Sequence, residues 1–143
     1  MNDVNKVTPT VIYQDENFLN IIKNYNNKNY LLVTSQGFRK RGTVDKIEII
    51  LKKNLVYTLD NIIANPTIDF LDETFKILRK LKIDAVIALG GGSVIDSGKA
   101  FAKLLSNKEH DLTLYKHFVE KKHFIEKSCA LPLIAIPTTA GTG

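Results

Sequence analysis

At 143 residues, 44% of them hydrophobic and 24% charged, the chain has the makings of one globular domain with a sizeable core, which excludes a disordered tail or a disulfide-stapled mini-protein. The net charge of +5, from 20 Lys and Arg against 15 Asp and Glu, is spread along the chain with Arg39-Lys40-Arg41 as its dense cluster, and no nucleic-acid motif accompanies it. The single Cys129 excludes an intrachain disulfide, the start Met1-Asn2-Asp3 lacks a signal-peptide pattern, and no apolar run approaches the ~20 residues of a membrane span, so a soluble, cytoplasmic protein is expected, with no membrane or nucleic-acid partner.

In chain order, short apolar runs alternate with segments of helical period, the mark of parallel strands joined by crossover helices. A first strand is expected near Thr10 to Tyr13, followed by a helix capped by Asp15 whose apolar positions are Phe18, Ile22 and Tyr25. Tyr30 to Thr34, apolar on successive residues, reads as a strand covered on both faces. A polar stretch to Gly42 precedes a helix with Val44, Ile47 and Leu51 on one side, then a strand from Leu55 to Leu59. Asn65-Pro66 predicts an N-cap in extended conformation and a first helical residue, opening a helix that carries Leu71, Phe75, Leu78 and Leu81.

The strand Ala85 to Leu89 runs into Gly90-Gly91-Gly92 and a Ser-capped helix from about Ser93 to Leu105. Residues 107–129 are polar and basic, with a short packed helix around Leu112, Leu114, Tyr115 and Phe118, and Cys129 reads as a small core residue. A last strand, Leu131 to Ile136, ends in Pro137-Thr138-Thr139-Ala140-Gly141-Thr142-Gly143, and the missing cover for that strand makes the chain read as the front of a longer polypeptide. The expected architecture is a doubly wound α/β fold, Rossmann-like, with a mostly parallel sheet and one domain over 1–143.

The segment Gly90-Gly91-Gly92-Ser93-Val94-Ile95-Asp96-Ser97-Gly98-Lys99 is the strongest chemical signal. Glycines at the carboxyl end of a strand let a ligand reach the backbone, and the free N–H groups of the following helix, with its dipole, favour an anion there. It matches neither the GxGxxG fingerprint nor a P-loop, since no Gly-Lys-Ser/Thr is present. Ser93 and Asp96 have the spacing of a capping box, Gly98 fits close packing of helix on sheet, and Lys99 fits an ion pair with Asp96. A bare strand-to-helix turn is the structural alternative. Thr138, Thr139 and Thr142 bring hydroxyl and amide donors to the end of another strand, beside the glycine turn if the two strands are neighbours.

Taken together, Asn65-Pro66-Thr67, GGGSVIDSGKA at 90–100 and PTTAGTG at 137–143, in that order and spacing, resemble the amino-terminal cofactor domain of the iron-containing (group III) alcohol dehydrogenases, a fold shared with the dehydroquinate synthases. The resemblance implies that Gly91, Gly92 and Ser93 hold a dinucleotide pyrophosphate and that Asp96 lies toward the nicotinamide. It also implies that Thr138, Thr139 and Thr142 line the adenosine and phosphate region, with Asn65 near the adenosine. Family members that use NAD commonly carry Asp where this chain has Ser35, and without that carboxylate, and with Arg39, Lys40 and Arg41 following, NADP is preferred over NAD. Iron or another divalent metal is implied for the whole enzyme, with its ligands in a helical part beyond residue 143; His110, His117 and His123 lack metal-site spacing and read as surface residues.

The implied activity is hydride transfer between NAD(P)H and a small alcohol/aldehyde pair, in a homodimer or higher homo-oligomer, with this chain supplying the cofactor's grip and no catalytic residue. The alternatives are a stand-alone nucleotide- or phosphate-binding module and a relative of the dehydroquinate synthase or glycerol dehydrogenase type, against which Ser93 and the PTTAGTG loop argue.

Overall fold

The structure, a computed structural model, describes residues 10–12, 17–25, 27–106 and 130–138. Its strands are β1 (Thr10–Ile12), β2 (Tyr30–Val33), β3 (Leu55–Leu59), β4 (Ala85–Gly90) and β5 (Leu133–Pro137). Between them lie the helices α1 (Phe18–Ile22), α2 (Gln36–Lys40), α3 (Thr43–Leu51), α4 (Ile68–Leu78) and α5 (Gly92–Leu105). Asp15, Cys129, His110, His117, His123, Thr139, Thr142 and the helix expected within 107–129 fall outside the described residues.

The five strands form one sheet in the order β1-β5-β4-β2-β3, and every pairing is parallel. The chain leaves β2 for β3 on one side and leaves β4 for β5 on the other. The neighbouring carboxyl ends of β2 and β4 are therefore a switch point, where an open α/β sheet forms its ligand crevice.

Both faces are covered, as the unbroken apolar runs require. Leu31, Val33, Val86 and Ala88 pack against Phe75 and Leu78 of α4 and Phe101 and Ala102 of α5. Tyr30, Leu32, Ala85, Ile87 and Leu89 pack against Ile22 of α1 and Val44, Ile47 and Leu51 of α3. This three-layer arrangement is the predicted doubly wound fold. Each fully buried Leu, Ile or Phe side chain contributes roughly 1.5–3 kcal/mol relative to exposure, so the two cores fix the sheet that carries the site.

Three local expectations are corrected. The polar stretch before Gly42 contains helix α2, too short and too charged to show an apolar period. Asn65 is not the cap of α4; its φ is +52°, in the left-handed region that Asn tolerates, and Thr67 is the cap, with Oγ1 accepting from the Phe70 N–H at 3.2 Å. Strand β5 starts two residues later than expected because the Leu131 N–H is taken by the Ala102 carbonyl at the end of α5, at 2.9 Å. Among the described residues, no helix is long and apolar enough to cross a membrane.

Candidate functional site

Strand β4 delivers Gly90 buried and at φ +155°, and a Cβ there would stand 2.8 Å from the Val94 side chain. Glycine is therefore required at this position by both dihedral and space. Gly91 is extended (φ −79°, ψ −171°) and caps α5, its carbonyl accepting from the N–H groups of Val94 at 3.1 Å and Ile95 at 3.0 Å. Gly92, the first helical residue, is exposed, and a Cβ built on it meets nothing within 4 Å. Gly92 thus satisfies no packing demand. What it leaves is clear space over the start of a 14-residue helix, whose first N–H groups have no intrahelical partner and whose dipole favours an anion.

The predicted capping box is not formed. Helix α5 has no side-chain cap, and Asp96 projects into solvent with its side chain 76% exposed, paired at 3.4 Å with Lys99. Such an exposed pair is worth a few tenths of a kcal/mol. Ser93 instead reaches sideways: its Oγ accepts the Asn65 N–H at 3.0 Å, while its carbonyl accepts from Ser97 Oγ at 2.7 Å. That bond ties the start of α5 to the loop after β3, in which Asn65 is left-handed. Gly98 has the packing role its position suggested, since a Cβ would lie 2.7 Å from the Ala88 Cβ on the sheet beneath.

Three more turns meet at this edge. The Thr138 N–H donates to the Gly90 carbonyl at 3.1 Å, tying the end of β5 to the glycine turn. Buried Thr34, expected only as the last residue of a strand, lies just past β2 and links three strands: its N–H donates to the Leu59 carbonyl at 2.8 Å and its Oγ1 to the Leu89 carbonyl at 2.7 Å. A polar residue directly after an apolar strand was the available signal. Ser35 follows it in extended conformation (φ −121°, ψ 160°), half-buried, as the cap of α2. The carboxyl ends of β2, β3, β4 and β5 thus bring Ser35, Asn65, Gly91, Gly92, Ser93 and Thr138 to one edge of the sheet, with Asp96 one helical turn further on.

The basic cluster is differently disposed from its appearance in the sequence. Arg39 is saturated by carboxylates: Nε donates to Asp60 at 2.7 Å, Nη1 to Asp45 at 3.0 Å and Glu48 at 3.1 Å, and Nη2 to Glu48 at 2.9 Å. The hydrogen bond to Glu48, then that to Asp60, push the Arg39 pKa further up. The Arg39 hydrogen bond in turn holds the Glu48 carboxyl below its usual range, with help from the Thr58 hydroxyl, which donates at 3.1 Å. Lys40 is exposed, and the Arg41 guanidinium lies 4.3 Å from the centroid of the Phe38 ring. Among the described residues no group of three or more His, Cys, Asp and Glu side chains is arranged to hold a metal ion.

Residues 9–143 match the family model described as iron-containing alcohol dehydrogenase. The chain is 37% identical over 131 residues to a long-chain primary alcohol dehydrogenase of Thermoanaerobacter ethanolicus, covering 90% of this chain and 32% of that protein. It is 36% identical over 124 residues to a mitochondrial hydroxyacid-oxoacid transhydrogenase of Caenorhabditis elegans, covering 85% of this chain and 27% of that one. The crystal structure of sulfoacetaldehyde reductase from Bifidobacterium kashiwanohense in complex with NAD+ superposes with a TM-score of 0.77 at 26% identity, over 96% of this chain and 36% of that one. The chain spans roughly a third of the length of these relatives. With the family model matched over nearly its whole length, on a sheet and glycine turn of the expected kind, the chain belongs to the iron-containing alcohol dehydrogenase family.

Proposed function

We propose that this chain is the cofactor-binding part of a metal-dependent alcohol dehydrogenase, gripping a nicotinamide dinucleotide at the carboxyl edge of its sheet. The observation that carries the reading is the open helix start at Gly91-Gly92-Ser93, where space is left over N–H donors at a switch point. Gly91, Gly92 and Ser93 are assigned to the pyrophosphate. Thr138, Thr139 and Thr142 are assigned to the adenosine and phosphate region, Asn65 to the adenosine, and Asp96 to the nicotinamide side. When bound, the nicotinamide supplies hydride chemistry, exchanging hydride with an alcohol/aldehyde pair. The chain's own residues contribute binding and orientation, and none is assigned a proton transfer or a metal.

NADP is the proposed cofactor. Ser35 puts no carboxylate against a 2′-phosphate, and Lys40 and Arg41 are exposed cations on the same turn. NAD is the alternative favoured by one relative's bound NAD+. Residues 1–143 are read as the amino-terminal NAD(P)-binding domain of a cytoplasmic homo-oligomer whose iron or other divalent metal is held by a helical part beyond residue 143. Calorimetric titration of the full chain with NADPH, NADH and ATP tests the core of this reading. NADPH is expected to bind most tightly, and tighter binding of ATP than of both reduced cofactors would favour a general nucleotide-binding module instead.

A further inference from the structure

We propose that Arg39 is a positioning residue for the cofactor, a latch that fixes the turn carrying Ser35, rather than a ligand of a 2′-phosphate. The role rests on the cofactor reading above, but the latch itself is visible without any ligand. Arg39 sits on α2, immediately after the switch-point turn, and its three nitrogens make four hydrogen bonds to three carboxylates. Two of those carboxylates, Asp45 and Glu48, belong to α3, and the third, Asp60, is the first residue beyond β3. Gln36, at the start of α2, completes the arrangement by donating from Nε2 to the other oxygen of Asp60 at 3.1 Å. Both oxygens of Asp60 are therefore held by α2, and the turn after β2 is bolted to the loop that leads to Asn65.

Helix α2 needs such a device. Five residues with a glycine among them cannot hold a helix by their own propensity; none of the five is fully buried, and Phe38 packs only partly against the core beside Val44 and Ile47. Backbone bonds from the Phe38 and Arg41 N–H groups, to the Ser35 carbonyl at 3.0 Å and the Gly37 carbonyl at 3.2 Å, define the turn, while the Arg39 fork anchors it to neighbouring elements. A guanidinium makes this fork as a rigid plane with donors in fixed directions. The same saturation argues against a phosphate role. To meet a 2′-phosphate, Arg39 would have to leave three carboxylates, which would then stand together uncompensated beside the incoming anion.

The test is substitution of Arg39 in the full chain, read in two independent ways. In R39M, hydrogen exchange of the Phe38 and Arg41 amides is expected to quicken while α5 keeps its protection. NADH and NADPH are both expected to weaken, NADH by about tenfold and NADPH by at least as much, because the turn that loses its position carries Lys40 and Arg41 as well as Ser35. R39K, which retains the charge but reaches fewer carboxylates, is expected to recover part of both affinities. A loss confined to NADPH would limit the effect to the 2′-phosphate and overturn the proposal, as would unaltered affinities. Unaltered exchange in R39M overturns the latch. Failure of the unmodified chain to bind either dinucleotide overturns the cofactor reading and the positioning role with it.

Discussion

Two turns flank the switch point and are built on opposite principles. The turn after β4 is organised by leaving side chains out: Gly90 is demanded by dihedral and space, Gly92 has open space where a side chain would be, and no charged side chain lies between Ala85 and Ile95. The turn after β2 is organised by filling its polar groups: Arg39, Gln36 and Asp60 satisfy one another, with Asp45 and Glu48 completing the set. The first arrangement leaves backbone donors for a ligand, and the second fixes a neighbouring turn. A site that binds a long dinucleotide needs both, open space over backbone donors and a rigid frame around it.

Substitutions should separate the two. The largest effect belongs to Gly90→Ala, where a Cβ would meet Val94 at 2.8 Å on a backbone at φ +155°. It should destabilise the fold by about 2–4 kcal/mol in denaturant unfolding, and an unchanged midpoint would contradict the geometry. Gly92→Ala, two residues on, is expected to leave stability within about 0.5 kcal/mol while weakening dinucleotide binding by about tenfold or more. Equal binding by this variant would mean that the open space over α5 is not the phosphate seat.

On the charged side the effects are smaller and depend on pH. Glu48 is hydrogen-bonded to Arg39 and Thr58, with Asp45 and Asp60 on the same guanidinium, and its pKa lies below the usual 4.5, chiefly through the Arg39 hydrogen bond. A carboxyl depressed in the folded state stabilises above its unfolded pKa, and that contribution disappears as pH falls through the folded value. Wild type is thus expected to exceed Glu48→Gln in stability at pH 6, by about 1 kcal/mol or less given the solvent screening of a half-exposed pair, and the gap should close in acid below pH 4.5. A gap independent of pH would assign the difference to packing. The smallest effect is that of Ser93→Ala, about 0.5 kcal/mol from losing the Asn65 N–H bond at an exposed site, measurable as faster exchange of the Asn65 amide.

The sheet was legible because its strands are covered on both faces. Tyr30 to Val33 and Ala85 to Leu89 are unbroken apolar runs, and Val44, Ile47 and Leu51 mark α3 without ambiguity. The glycine turn was legible because glycines between a strand and a helix have a direct physical meaning. Tertiary decisions were not. The local rule for a residue before proline places Asn65 in extended backbone, but in the fold Asn65 is left-handed and its N–H meets the Ser93 hydroxyl on a helix 28 residues away. The cluster Arg39-Lys40-Arg41 reads as free positive charge until the fold brings carboxylates 6, 9 and 21 residues distant onto one guanidinium. Charge in a sequence is a list of groups. Only the fold says which of them remain available.

We propose the start of α5 as the seat of the cofactor's phosphates. This assignment is tested most directly by following backbone amide resonances of the full chain, labelled with 15N, during titration with NADPH. The largest saturable shifts are predicted at Gly91, Gly92 and Ser93, with smaller ones at Ser35, Asn65 and Thr138. Saturable binding that leaves Gly91, Gly92 and Ser93 unmoved would contradict it.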